Sequence, residues 1–245
     1  MNQPAAMVRT LASDTAMVMA AGLGKRMRPL TATQPKPLVR VAGKPLIDHA
    51  LDRLADAGVA RAVVNVHYLA DALEAHVSDR ENPAVVISDE RDLLLETGGG
   101  LIKAQHHLPD PFFCLNADNI WLDGPRNAFD ELSARWDPDV MDALLLVVPH
   151  MRAANFAGEG DFYMNPLGLL SRRKPGRIAP FIYTGIQLVS HRLLRDAPEG
   201  KFSTNILWNR AIEEERLYGV SFGGQWFEVG TPQAIAPTQD ALRRG

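Results

Sequence analysis

Residues 17–38 have the sequence MVMAAGLGKRMRPLTATQPKPL, and the rest of the chain can be understood from this stretch. Thr15–Ala20 is short and apolar, which predicts a buried strand. The small residues Ala21–Gly24 then predict a turn with exposed backbone amides, and three cations follow within residues 25–28. Turn amides and clustered positive charge both attract polyanions. The stretch therefore predicts a phosphate-binding site at the end of the first strand.

The glycine turn differs from the two best-known phosphate-binding loops. A P-loop requires the pattern G-x-x-x-x-G-K-[ST], and residues 22–26 lack both its spacing and its Ser or Thr. A dinucleotide-binding fingerprint requires G-x-G-x-x-G, but Met27 stands at the third glycine position. Pro29 and the later Pro35-Lys36-Pro37 hold the following segment extended. The loop is therefore neither a P-loop nor a dinucleotide site.

Length and composition indicate one soluble α/β domain. The chain has 245 residues, of which 46% are hydrophobic and 22% charged, and a formal net charge of −3, so a broad basic surface for nucleic acid is not expected. The longest apolar run, residues 143–148, is too short to span a membrane, and residues 1–14 lack the pattern of a secretory signal. The single cysteine, Cys114, lies in an apolar segment that predicts a buried strand. We therefore expect a cytoplasmic protein without nucleic-acid or membrane partners, and the sequence leaves its oligomeric state open.

The order of predicted helices and strands indicates the fold class. Residues 45–58 predict a helix and residues 62–66 a strand. A second helix ending near residue 77 and a strand over residues 84–88 follow. This βαβαβ order predicts an α/β fold with a doubly wound, mostly parallel, Rossmann-like sheet flanked by helices. Its site is expected at the carboxyl ends of the strands.

Two polar features follow predicted strands. Glu96–Gly100 (ETGGG) precedes a predicted helix at residues 101–108, and consecutive glycines there allow close backbone approach to a flat ligand. Asp118 lies just beyond the apolar segment Phe112–Leu115, where a carboxylate can hold Mg²⁺ against phosphate oxygens. The basic segment Ser171–Arg177, in contrast, predicts a solvated hairpin tip.

The pattern G-x-G-x-R-M-x-P-L-T at residues 22–31, followed by P-K-P-L at 35–38, resembles the signature of the sugar-1-phosphate nucleotidyltransferases, or nucleotide-sugar pyrophosphorylases. The resemblance covers residues 16–232, with the motifs in the family's order, and implies a nucleotide-diphospho-sugar transferase (GT-A-like) fold. L-E-T-G-G-G at residues 95–100 is similar to one branch in particular, the N-acetylmuramate-1-phosphate uridylyltransferases of bacterial cell-wall recycling.

The resemblance also implies a division of the chain. We expect a single nucleotidyltransferase domain over residues 15–235, with a nucleotide-binding half at 15–148 and a sugar-binding half at 149–235. A flexible tail is expected at each end, over residues 1–14 and 236–245.

Roles for individual residues follow from the same resemblance. Arg26 would stabilise charge on the leaving phosphates, Lys36 would reach the α-phosphate, and Asp118 would bind Mg²⁺. The family's W-x-D-V-G-T pattern, whose aspartate is the second metal ligand, has the longer Glu228 in this chain. The expected nucleotide contacts are Ala21, Gly22, Gly24, Lys36, Thr97, Gly98, Gly99 and Asn116. The expected sugar contacts are Asn155, Asp161, Thr184 and Gly185.

The implied reaction is Mg²⁺-dependent transfer of a nucleotidyl group from a nucleoside triphosphate to a sugar-1-phosphate. The resemblance favours UTP and N-acetylmuramate-1-phosphate, giving UDP-N-acetylmuramate and pyrophosphate in peptidoglycan recycling. A mannose-1-phosphate guanylyltransferase is the alternative enzyme, because those enzymes share the N-terminal signature. A non-catalytic nucleotide-sugar sensor is the alternative of another class, and Glu228 is the only residue that favours it.

Overall fold

In a computed structural model of the protein, the structure describes residues 11–154 and 156–244. Residues 1–10 of the predicted N-terminal tail and the candidate sugar contact Asn155 lie outside the described residues. The remainder of that tail is packed: the backbone amide of Ala12 donates to Ser133 Oγ at 3.0 Å, and Leu11 packs against the hydrophobic core. The folded region therefore starts earlier than residue 15.

A nine-stranded sheet and two smaller sheets contain the strands of the described residues. The strands are β1 (Thr15–Met19), β2 (Arg40–Val41), β3 (Lys44–Pro45), β4 (Arg61–Val66), β5 (Ala84–Asp89), β6 (Phe112–Asn116), β7 (Asn119–Leu122), β8 (Ala143–Pro149), β9 (Ala153–Ala154), β10 (Phe162–Met164), β11 (Leu170–Arg172), β12 (Phe181–Val189), β13 (Leu217–Ser221) and β14 (Gln225–Glu228).

The large sheet has the order β13-β8-β12-β6-β1-β4-β5, and the hairpin β10–β11 extends it beside the start of β12. Strands β5, β4, β1 and β6 are parallel neighbours, and β13 is parallel to β8. Strand β12 is antiparallel to both β6 and β8, so β8 and β13 run in the same direction as β6. This confirms the predicted mostly parallel sheet. The carboxyl end of β1, where the glycine loop begins, lies in the interior of the sheet.

Helices cover both faces of this sheet. They are α1 (Leu46–Ala57), α2 (Ala70–Val77), α3 (Glu96–Ala104), α4 (Ala128–Arg135), α5 (Asn205–Glu213) and α6 (Ile235–Leu242). Residues of α1, α2 and α4 share a buried cluster with Ala16 and Val18, whereas α3 and α5 share another with Met17. Alternate residues of β1 therefore contact opposite helix layers, as a doubly wound fold requires. No helix in the described part of the chain combines the length and hydropathy needed to cross a bilayer.

A three-stranded sheet with the order β7-β14-β9 is a feature that the sequence did not predict. Only Ala117 and Asp118 separate the end of β6 from the start of β7, so Asp118 lies at the junction of the two sheets. Strand β14 is antiparallel to β7, with Glu228 opposite Asn119. The four-residue β7 was missed because it is short and lies between two polar turns. Its pairing with β14 brings the last motif of the chain to the end of β6.

The predicted C-terminal tail at 236–245 is wrong, because most of it forms α6. Ile235 and Leu242 of this helix pack against a small cluster that includes the buried residues Met27, Ile120 and Val229. Met27 belongs to the cationic loop, and Val229 follows Glu228. Helix α6 therefore supports the same region that the first and last motifs form.

Removing α6 tests this assignment. We expect a chain that ends after Gln233 to lose about 2 kcal/mol in the free energy of unfolding, because Ile235 and Leu242 no longer bury apolar surface. Urea denaturation measures the loss. A chain that lacks only residues 243–245 is the control and should stay within about 0.5 kcal/mol of the full chain. Equal stability of the two shortened chains would show that α6 contributes nothing.

Candidate active site

The glycine loop folds back onto the proline-containing segment that follows it. Gly24 has a φ of 58° and starts one turn of 3₁₀ helix over Lys25–Met27. The hydroxyl of Thr31 donates to the Gly24 carbonyl at 2.9 Å, and a Cβ at Gly24 would approach both Thr31 and Lys36 to 3.0 Å. The position therefore requires glycine for its conformation and for close packing. As a result, Lys36 lies next to the glycine loop.

A buried polar network holds the start of the same loop. Asn65 Oδ1 accepts hydrogen bonds from the backbone amides of Ala20 at 2.6 Å and Ala21 at 3.3 Å. Asn65 Nδ2 donates at 2.7 Å to Glu90, a fully buried carboxylate that also accepts from the Leu95 amide. The network ties the glycine loop to the segment that leads into α3. Sequence reasoning missed Asn65 and Glu90, because single polar residues at strand ends carry no motif.

Four charged side chains meet beside this loop. Lys36 Nζ contacts Asp118 Oδ2, and Arg26 Nη1 lies 3.5 Å from Glu228 Oε1. The side chain of Lys36 is 14% exposed, whereas that of Arg26 is 69% exposed. The sequence analysis predicted all four as site residues, although they are spread over about two hundred positions of the chain. The structure brings them together as two adjacent ion pairs.

The four residues line a cleft at the carboxyl ends of β1 and β6. One part, of about 390 Å³, is lined by Ala21, Gly22, Lys36, Thr97 and Asp118 among others. An adjoining part, of about 160 Å³, is lined by Arg26, Asp118 and Glu228. A cleft of this size, with convergent charges at its centre, has the properties of a small-molecule site.

A third part of the cleft extends under the β10–β11 hairpin. It has a volume of about 300 Å³, and its lining includes Asn116, Asp161 and Arg172. Asn116 lines all three parts, so it stands where they meet. The cleft therefore has room for two substrates that share one charged centre.

Comparison with known proteins identifies the family. The family model described as nucleotidyl transferase matches residues 15–157. The chain belongs to the nucleotidyl transferase family. It is 46% identical over 228 residues to the N-acetylmuramate alpha-1-phosphate uridylyltransferase of Caulobacter vibrioides, covering 91% of this chain and 94% of that protein. It is 34% identical over 226 residues to the protein of the same name from Neisseria meningitidis serogroup B, covering 88% and 93%.

More distant similarities agree with this family. The mannose-1-phosphate guanylyltransferase catalytic subunit beta of Drosophila pseudoobscura is 39% identical over 238 residues, which cover 89% of this chain and 59% of that protein. The solved structure of the inositol-1-phosphate CTP transferase from T. maritima has a TM-score of 0.77 and covers 95% of this chain and 96% of its own, at 18% identity. That likeness supports the nucleotide-sugar transferase fold.

The glycine run of this nucleotidyl transferase lies inside α3, whereas the sequence placed it before a helix. The amides of Gly98 and Gly99 donate to the Phe202 carbonyl at 2.9 and 3.2 Å. A Cβ at Gly98 would overlap the Phe202 ring, and one at Gly99 would overlap the Gly200 carbonyl. These glycines therefore let another part of the chain approach closely, which the sequence analysis did not predict, and their contact with a nucleotide stays a prediction. Thr97, at the start of the run, does line the cleft.

Three of the predicted sugar contacts lie in the part of the cleft that has a volume of about 160 Å³. Asp161, Thr184 and Gly185 line the same part of it as Arg26. The Thr184 hydroxyl already donates to the Leu146 carbonyl at 2.8 Å and is fully buried, so it is engaged in holding β12 to β8. Gly185 has a φ of 81°, at a point where the register between β12 and β8 shifts. A glycine is needed there because a Cβ would overlap Asn119.

The predicted hairpin tip over residues 171–177 needs a correction at Arg172. This residue ends β11, and its guanidinium lies over the ring of Phe162, 4.9 Å from the ring centre, and near the ring of Trp208. It lines the cleft together with Asp161. The tip is therefore formed by the later residues of the turn. The sequence did not indicate a position in the cleft for Arg172, because a run of three basic residues usually lies in solvent.

Cys114 is a buried residue of β6, as predicted. Burial raises the pKa of its thiol to about 12, because the charged thiolate would lose its hydration. A thiol of this kind is not a nucleophile near neutral pH.

Two glycine substitutions separate the roles of the loop positions. A Cβ at Gly22 meets no atom within 4 Å and would occupy the cleft, whereas Gly24 has positive φ and tight neighbours. We expect Gly22→Ala to keep the stability of the wild type and to raise the KM for the nucleoside triphosphate about tenfold. We expect Gly24→Ala to lower the free energy of unfolding by about 1–2 kcal/mol. Thermal unfolding and initial rates measure both effects, and equal stability of the two variants would contradict the assignment.

Proposed function

We propose that this nucleotidyl transferase transfers a uridylyl group from UTP to N-acetylmuramate-1-phosphate, forming UDP-N-acetylmuramate and pyrophosphate. One observation carries the proposal: two cations and two carboxylates, Arg26, Lys36, Asp118 and Glu228, line adjoining parts of one cleft beside a glycine loop. Such a centre provides the charges that two phosphate-bearing substrates need in order to react. The names of the Caulobacter and Neisseria relatives support the choice of UTP and of the muramic acid sugar.

The reaction needs no side-chain nucleophile, because the sugar phosphate is anionic near neutral pH. One of its oxygens attacks the α-phosphorus of UTP, the bond from that phosphorus to the bridging oxygen breaks, and pyrophosphate leaves with the electron pair. Chemistry of this kind depends on positioning and charge stabilisation. In the proposal Lys36 contacts the α-phosphate, and the exposed Arg26 follows the charge that develops on pyrophosphate.

The donor set suits Mg²⁺. Asp118 and Glu228 line the same cavity, and the residues that the structure describes contain no cluster of three or more acidic, histidine or cysteine side chains able to hold a metal. Magnesium is commonly bound by one or two carboxylates together with phosphate oxygens and water, so two carboxylates are a sufficient protein contribution. Bound there, Mg²⁺ supplies positive charge to phosphate oxygens. Asp118 and Glu228 would hold it, and Lys36 would exchange its ion pair with Asp118 for a phosphate oxygen.

The uridine is assigned to the part of the cleft between the glycine loop and α3. Ala21, Gly22 and Thr97 line this part, and the space beside Gly22 allows a ligand to contact the backbone. Asn65 and Glu90 act here indirectly, since they fix the amides of the loop and the segment before α3. Asn116, at the meeting point of the cavities, is placed to touch both substrates.

A guanylyltransferase that uses mannose-1-phosphate is the second candidate, and the 39% identity to the Drosophila guanylyltransferase favours it. The identity to the Caulobacter uridylyltransferase is higher, at 46%, which favours the uridylyltransferase. A non-catalytic sensor is disfavoured, because Arg26, Lys36 and Asp118 are all retained and lie together.

The substrate assignment is tested by pyrophosphate release in the presence of Mg²⁺. We expect the highest kcat/KM for UTP with N-acetylmuramate-1-phosphate, in a panel that pairs UTP, GTP, CTP, ATP and dTTP with the 1-phosphates of N-acetylmuramate, N-acetylglucosamine, glucose and mannose. A dominant rate for GTP with mannose-1-phosphate would keep the mechanism and overturn the substrates. Nucleotide binding without pyrophosphate release from any pair would favour the sensor.

Substitutions in the charge cluster test the mechanism. We expect Arg26→Ala and Asp118→Ala each to lower kcat by about 10²–10³, because each removes one preorganised charge from the reacting phosphates. Arg28→Ala is the matched control, since Arg28 is an exposed cation of the same loop that lines none of the cavities described above. Circular dichroism checks that each variant is folded. Turnover near that of the wild type in either site variant would refute the role assigned to that residue.

The same proposal assigns the chain to peptidoglycan recycling in the cytoplasm, because that is where free N-acetylmuramate-1-phosphate would be consumed. Fractionation of cells that express the chain at its natural level would test the location. Recovery of the protein outside the cytoplasmic fraction would contradict it.

A further inference from the structure

Arg172 is a cation in the cleft that the reaction as written does not use. It lies at the end of β11, and its guanidinium stacks on Phe162 at 4.9 Å and faces Trp208 at 5.6 Å from the ring centres. Its Nε donates to Asn209 Oδ1 and its Nη2 to Asn205 Oδ1, both at 2.9 Å. Stacking and amide contacts of this kind fix a guanidinium in one position. Arg172 is therefore a preorganised positive charge.

The charge of Arg172 forms no direct ion pair in the part of the protein that the structure describes. No carboxylate there forms a salt bridge with Arg172, and no acceptor is found for its Nη1. Burial lowers the pKa of the guanidinium, and the nearby Asp161 carboxylate raises it. Asp161 itself accepts the Tyr183 amide at 2.9 Å. A half-buried cation that is oriented but unpaired favours an anionic ligand, because the ligand restores the interaction that water no longer supplies.

Arg172 lines a cavity next to the one in which the sugar phosphate is expected to bind. The cavity that it lines shares Asn116, Asp161 and Tyr183 with the cavity that contains Arg26 and Asp118. A sugar whose 1-phosphate lies at the charge cluster therefore extends past these shared residues towards Arg172. Lys36 and Arg26 are assigned to the phosphates of UTP, and the 1-phosphate of the sugar lies at the same charge cluster, so Arg172 is left for a second anion on the sugar.

We propose that Arg172 determines sugar specificity by binding the carboxylate of the lactyl ether of N-acetylmuramate-1-phosphate. The proposal rests on the proposed function, since that carboxylate is what distinguishes this sugar from N-acetylglucosamine. The N–H groups of Nη1 can donate to a carboxylate, because the amide contacts of the guanidinium use Nε and Nη2 and the aromatic rings cover its face. Hexose phosphates that lack a carboxylate on the sugar gain nothing from it.

The test is the sugar preference, defined as kcat/KM for N-acetylmuramate-1-phosphate divided by kcat/KM for N-acetylglucosamine-1-phosphate. We expect Arg172→Gln to lower this preference about 10- to 150-fold, the range for one hydrogen bond to a charged group. Arg173→Gln is the matched control. Arg173 pairs with Glu159 at 2.7 Å and is not part of the cavity lining, so its removal should leave the preference unchanged.

A substrate change keeps the test independent of protein folding. We expect the wild type to use the carboxamide analogue of N-acetylmuramate-1-phosphate less well than the acid, by the same factor as Arg172→Gln lowers the preference. In Arg172→Gln the acid and the carboxamide should be used equally, because the interaction is already lost. Arg172→Lys keeps the charge but loses the contacts with Asn205 and Asn209 that orient it, so it should fall between the wild type and Arg172→Gln.

The outcomes separate this proposal from the proposed function. If the wild type shows no preference for N-acetylmuramate-1-phosphate, the proposed sugar and the role of Arg172 are both wrong. If the wild type shows the preference and Arg172→Gln retains it, the proposed function stands and the role of Arg172 is wrong. The role would also be overturned if Arg172→Gln lowered kcat/KM equally for both sugars. The same holds if the wild type used the carboxamide with the same kcat/KM as the acid.

Discussion

The pairing of β7 with β14 is the constraint on which the site depends. It sets Glu228 opposite Asn119, and Asn119 directly follows Asp118 in the sequence. The pairing therefore brings Glu228 close to Asp118, although the two are more than a hundred positions apart. Opposite charges a few ångströms apart near a protein surface attract by about 4 kcal/mol, and like charges repel as strongly. Asp118 and Glu228 can lie together because Lys36 and Arg26 neutralise them. In the proposed function, phosphate and metal would replace these partners, so that each charge stays paired.

The glycine loop is held from three directions. Asn65 binds its first amides, Thr31 closes the turn at Gly24, and Met27 anchors it in the cluster that α6 covers. Asn65 belongs to β4 and Met27 packs in a cluster with α6, so the loop is fixed to the regular structure around it. A preorganised loop loses little entropy on binding and can direct its amides and cations at developing charge.

Much of the fold could be predicted from local patterns. The strand-helix alternation up to residue 89 is visible as periodicity, and the structure confirms it. The elements that were missed are those whose stability comes from distant partners. Strand β7 is four residues long and needs β14, and α6 is a short helix stabilised by contacts of Ile235 and Leu242. Neither has a local signal strong enough to detect.

The candidate site shows the same division. The sequence predicts the four charged residues of the site because they belong to motifs, and the structure brings them together; they are Arg26, Lys36, Asp118 and Glu228. Glu90 and Arg172 belong to none, and their surroundings become visible only when the chain is folded. The glycines of α3 show the opposite limit: the motif was noticed, but the close packing of Gly98 against Phe202 could not be predicted from it.

The most direct test of the account is Mn²⁺ binding, measured by electron paramagnetic resonance in the presence of a non-hydrolysable UTP analogue. If Asp118 and Glu228 hold one metal ion against the nucleotide, Asp118→Asn and Glu228→Gln each weaken Mn²⁺ binding by at least about tenfold. The double variant then loses much less than the sum of the single losses, because the two residues act on the same ion. Unchanged binding in either single variant, or losses that simply add, would contradict a shared metal site at the junction of the two sheets.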